Sequence, residues 1–114
     1  MEHKTCPPYP VSIYVAGDLS DARRICREHT FAVGLCVTVT PTEFIYTGGA
    51  ETGVCVGLIN YPRFPSNAES LWATACGLGD ALMRGLCQQS YLVQSSDRCE
   101  WFSRRDALAT KEQP

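Results

Sequence analysis

Two short stretches of this sequence set arginines beside aromatic rings: Asn60-Tyr61-Pro62-Arg63-Phe64-Pro65 in the middle, and Arg98 followed by Trp101-Phe102-Ser103-Arg104-Arg105 near the end. Guanidinium groups grip phosphate oxygens in pairs, and a ring or a guanidinium plane stacks on a nucleobase. Such a set suits a nucleotide that carries a pyrophosphate. Gln88 and Gln89 add amides that can read a base or ribose edge. The candidate ligand-binding residues are therefore Asn60, Tyr61, Arg63, Phe64, Gln88, Gln89, Arg98, Trp101, Arg104 and Arg105. The structural alternative is a solvated arginine edge over core aromatics, with the glutamines as a polar helix end.

Catalytic chemistry has less to stand on. Nucleophilic catalysis needs a nucleophile beside a base, and the histidines are His3, close to the start, and His29, on the apolar side of a helical segment. The carboxylates Asp18, Asp21, Glu28, Glu43, Glu51, Glu69, Asp80, Asp97 and Glu100 fall mostly at caps, turns and exposed helix positions, where structural roles suffice, although a carboxylate pair stays open. Gly17-Asp18 and Gly48-Gly49 match neither phosphate-loop pattern. The seven cysteines are odd in number and contain no C-x-x-C pair, which argues against zinc and redox motifs; five lie in apolar segments and are expected to pack as small buried hydrophobes. No catalytic residue, metal or cofactor is expected.

The elements that must position these residues follow from periodicity. Val11–Ala16 is β-branched and ends at Gly17, the mark of a strand and turn. Leu19, Ala22, Ile25, Cys26, His29 and Val33 then recur at helical spacing, with Asp18 or Ser20 as cap and Gly34 as stop. Leu35–Thr40 alternates until Pro41, which is expected to end a second strand. Glu43–Thr47 and Gly53–Tyr61 read as a hairpin across a Gly48–Thr52 loop. Pro62 and Pro65 keep the next segment extended. A capping box of Ser66 and Glu69 opens a second helix with Leu71, Trp72, Ala75, Cys76, Leu78, Leu82, Met83 and Leu86 on its stripe. Its glycines Gly77, Gly79 and Gly85 are expected to permit close packing on the sheet or a neighbouring subunit. Ser90–Ser95 and Cys99–Ser103 make a last hairpin.

That order predicts an α+β fold: an antiparallel sheet with two helices on one face, a ferredoxin-like variant with a C-terminal hairpin. With 114 residues the chain has room for one domain, expected over 10–105 between an N-terminal extension (1–9) and a polar tail (106–114). The uncovered sheet face would be buried by self-association. A net charge of −2 gives no general attraction to long nucleic acid, and no apolar run approaches the roughly 18 residues of a membrane span. With no secretory-type apolar start either, the expected location is cytoplasmic.

At Ser20–Glu28, Tyr46-Thr47-Gly48-Gly49, Gly57–Pro65 and Trp101–Arg105 the chain resembles the phage anti-Thoeris sponge proteins, first of the two original types, over residues 10–105. The resemblance implies a counter-defence protein in the infected bacterial cytoplasm that sequesters cyclic ADP-ribose isomers, and in some members cyclic oligonucleotides, without cleaving them. It also implies dimers and hexamers. Arg105 and Arg63 would be the phosphate-gripping arginines, and Gln88 or Gln89 the amide. The leading alternative is a small inhibitor that covers a host or defence protein; an enzyme is the third reading.

Overall fold

The computed structural model describes residues 1–105, so the 106–114 tail lies outside the described residues. Strand β1 (Val11–Ala16) shows alternating burial, with Val11, Ile13 and Val15 turned into the core. Helix α1 (Leu19–Val33) is capped by the Asp18 side chain, which accepts from the Asp21 backbone N–H at 3.0 Å, and ends at Gly34 in the left-handed conformation. Ala22, Ile25 and Cys26 are its buried stripe; His29 is half-buried and Val33 is exposed.

Strand β2 (Val37–Tyr46) runs straight through Pro41 and turns at Thr47-Gly48 into β3 (Gly49–Leu58). The two stretches read separately as Leu35–Thr40 and Glu43–Thr47 are thus one strand, and Gly49–Thr52 belongs to β3 and not to a loop. The reason is position: β2 is an edge strand, where a residue without an N–H leaves no inner ladder bond unmade. Helix α2 (Ala68–Gly85) is capped by Asn67, whose side chain accepts from the Ser70 N–H at 2.7 Å, so the Ser66–Glu69 capping box does not form. Strands β4 (Ser90–Ser95) and β5 (Cys99–Ser103) form the last hairpin as expected.

The sheet order is β2-β3-β1-β4-β5, antiparallel throughout. The first four strands have the ferredoxin-like arrangement, and β5 extends it at the β4 edge. Both helices pack on one face, where Ile13, Val54, Val56 and Val93 meet Leu71, Trp72, Leu78 and Leu82. Apolar burial of this extent, at roughly 25 cal/mol per Å², is the main force holding the layers together. A Cβ at Gly79 would meet the Tyr91 ring and one at Gly85 the Ile25 side chain, so two of the three helix glycines do permit close packing, whereas Gly77 faces open space. The cysteines depart from expectation: Cys26 is buried, Cys6, Cys55 and Cys76 are half-buried, and Cys36, Cys87 and Cys99 are exposed. Strand alternation turns Cys55 and Cys99 to the side away from the helices.

Candidate functional site

The face of the sheet opposite the helices carries the outward half of each alternation. Strand pairing lines up Thr40, Cys55, Tyr14, Leu92 and Trp101 in one row across it, and Thr38, Gly57, Ser12, Gln94 and Cys99 in the next. Above the first row Phe44 folds over Gly53, where a Cβ would meet both the Phe44 ring and the Val15 carbonyl oxygen. The Phe44 ring thereby comes edge-on to Tyr14, 6.5 Å between centroids at 72°.

These residues enclose an open-sided hollow of about 410 Å³ whose walls include Tyr14, Phe44, Trp101, Glu51, Gln88 and Gln94. Trp101 is 59% exposed, so its ring is available to a guest. Among the lining residues there is no lysine or arginine, and Glu51 supplies the one carboxylate. The neighbouring Cys55 raises the Tyr14 phenol above its ordinary value, which already leaves it neutral at physiological pH. The arrangement offers flat apolar surfaces, amides to read polar edges and a single negative charge.

A second hollow of about 410 Å³ lies at the other side of the molecule, between Pro8-Tyr9-Pro10, Trp72 and Arg98. Here the guanidinium of Arg98 sits 4.0 Å above the Trp72 ring and donates to Glu100 at 2.8 Å, with Glu69 at 3.7 Å. The hydrogen bond to Glu100 raises the Arg98 pKa further. Arg98 is thus already balanced by carboxylates.

The residues singled out from the sequence do not converge. Only Gln88 and Trp101 of that set line the open-face hollow. Arg98 is in the second one. Asn60 is 4% exposed and fully engaged: its amide donates to the Pro7 carbonyl at 2.7 Å and accepts from the Ser66 N–H at 2.8 Å, tying the N-terminal segment to the approach of α2. Tyr61 and Phe64 stand together at 6.3 Å with Arg63 over the Phe64 ring at 5.4 Å, beside the end of α1. Arg104 and Arg105 are exposed at the top of β5, where the Arg104 N–H donates to the Gln89 carbonyl at 2.9 Å. Sequence reading missed Tyr14, Phe44, Glu51 and Gln94. The signal was present in the alternation, since each lies at an outward strand position, but which outward residues become neighbours depends on strand order.

No family model matches the chain, and no curated protein does. Among solved structures, the chain is similar to a phage SAM lyase in complex with S-methyl-5′-thioadenosine, at 15% identity and a TM-score of 0.70 over 92% of this chain and 96% of the other. It is also similar to a phage SAM lyase in the apo state, at 15% identity and a TM-score of 0.68 over 90% and 95%. The likeness is one of fold, complete over nearly the whole length of both chains.

Proposed function

We propose that this protein binds an adenosine carrying a sulfonium, S-adenosylmethionine or a near relative, in the open-face hollow and cleaves its carbon–sulfur bond. The observation that carries this reading is the combination of three rings, the half-buried Tyr14 and Phe44 and the exposed Trp101, with one carboxylate and no cationic side chain in the wall. Adenine stacks on such rings, a sulfonium is attracted to ring faces and to Glu51, and a polyphosphate would meet no counter-charge there. The shared fold with phage SAM lyases, one of them holding S-methyl-5′-thioadenosine, supports the same ligand class.

The chemistry asks little of the protein, which fits a hollow without a nucleophile–base pair. A sulfonium leaves as a neutral thioether: both electrons of the broken bond stay on sulfur, giving S-methyl-5′-thioadenosine. The four-carbon fragment takes its own carboxylate at the carbon that sulfur left, so no water is consumed and no proton is transferred. Packing rings around the cation removes its water shell, which favours a step that moves the charge off sulfur. Thermal-shift and mass-spectrometric assays with S-adenosylmethionine, S-methyl-5′-thioadenosine and S-adenosylhomocysteine test this. Formation of S-methyl-5′-thioadenosine, lost in Trp101→Ala and Glu51→Gln, is the expected result; an unchanged substrate that does not shift the melting temperature overturns it.

Sequestration of a cyclic nucleotide signal such as a cyclic ADP-ribose isomer is the second reading, favoured by one feature. Gln88 and Trp101, an amide and a ring of the set singled out for a nucleotide guest, line the hollow together. Heating the protein after incubation separates the two: an intact nucleotide released means a sponge, a split one means a lyase. On either reading we place the protein in the cytoplasm of an infected bacterial cell, a reducing compartment that suits its seven free thiols. No helix among the described residues is long and apolar enough to cross a membrane.

A further inference from the structure

The β2–β3 hairpin is longer than the sheet it belongs to. β1 pairs with β3 only from Gly53 to Leu58, so beyond the Gly17 N–H bond to the Thr52 carbonyl, Phe44–Tyr46 and Gly49–Glu51 pair with each other alone and project, with Glu43 and Thr52 at the base, as an arm. Two-stranded ribbons gain little stability by themselves in water, and this one carries large apolar side chains at its tip, Ile45 at 77% and Tyr46 at 54% exposure. At the opposite end of the same strands, where Val37 faces Leu58, the end of α1 and the loop leading to α2 enclose a groove of about 520 Å³. Its apolar wall is Val33, Ile59, Tyr61 and Phe64, the last at 70% exposure, and Phe31 protrudes nearby at 93%.

We propose that the arm of one copy of this chain docks in the α1-end groove of a second copy, head to tail. Three observations select this occupant. The arm contributes Glu43 and Glu51 and no basic residue, while Arg63, over the Phe64 ring of the groove wall, and Arg27 on the adjoining helix, where Arg24 pairs with Glu28, give that end the opposite sign. The tip cannot reach the groove of its own chain, because the ten residues of β2 hold them about 30 Å apart. Pro41 interrupts the donor row of the free β2 edge, which disfavours edge-to-edge pairing as the competing contact. Different patches meeting in this way repeat from copy to copy, so the contact closes into a ring when the rotation permits and otherwise extends. The inference does not depend on which ligand the open face takes.

Light scattering coupled to gel filtration, with sedimentation over a concentration series, reads the outcome directly. The wild-type chain is expected to assemble, and Ile45→Asp and Phe64→Asp each to run as monomers with unchanged far-ultraviolet circular dichroism; Tyr46→Ser is a milder second tip variant with the same expectation. Mixing Ile45→Asp, whose groove is intact, with Phe64→Asp, whose tip is intact, should restore a one-to-one pair. A wild-type chain that stays monomeric, tip variants that assemble as the wild type does, or a mixture that fails to pair would each overturn the head-to-tail contact.

Discussion

The open-face hollow and the second hollow each join an aromatic ring to charged groups, yet they are built for different ends. At the second hollow the charges cancel internally: Arg98 lies on Trp72 between Glu100 and Glu69, and the N-terminal segment beside it is pinned through Asn60. On the open face the rings of Tyr14, Phe44 and Trp101 have no such partner, and Glu51 is left to act on whatever enters. An arginine beside an aromatic is therefore not by itself a ligand site. What distinguishes the two is whether the polar groups are already satisfied by the chain.

That contrast sets the expected size of each perturbation. Asn60→Ala should be the most damaging, because it strands the Pro7 carbonyl and the Ser66 N–H; a loss of about 3 kcal/mol is expected in denaturant titration, with ligand affinity in the hollow unchanged for the folded fraction. Trp101→Ala should do the reverse: an exposed ring costs little stability, but stacking worth about 2 kcal/mol, or roughly thirtyfold in affinity, should vanish in calorimetry.

The pH dependence separates core from face. Burial pushes the Tyr91 phenol up to about 12, with Cys76 and Asp80 adding to the shift, and its hydroxyl donates to the Cys76 carbonyl at 3.1 Å. Because the folded value is raised, the stabilisation is fully present below about pH 10, the ordinary tyrosine value, and is lost as the pH climbs toward 12. Tyr91→Phe should cost about 1 kcal/mol at neutral pH and flatten that alkaline decline, as measured by urea unfolding at several pH values. The smallest effect is expected from Arg98→Ala: a melting temperature close to that of the wild type in calorimetry, as for exposed ion pairs and ring contacts, and no change in affinity on the open face. A large fall in affinity instead would move the ligand to the Trp72 side and erase the distinction.

The fold was largely legible in advance because its evidence is local. Asp18 and Gly34 bound α1 through capping geometry, and Ser90–Ser95 with Cys99–Ser103 announce a hairpin around a polar turn. Pro41 misled, since whether a proline breaks a strand depends on its being an edge or an interior strand. The site was much less legible. Gln88 and Trp101 could be found from residue type, but Tyr14, Phe44 and Glu51 are ordinary strand residues until pairing brings them side by side.

What the sequence by itself determined is the set of elements and their inward faces: alternation and helical period follow from where each side chain points relative to its neighbours along the chain. Only the tertiary structure decided which outward residues share a hollow, which arginine is already neutralised and how far the β2–β3 arm outruns its sheet. Those properties depend on strand order and register, which are set by contacts between residues distant in sequence.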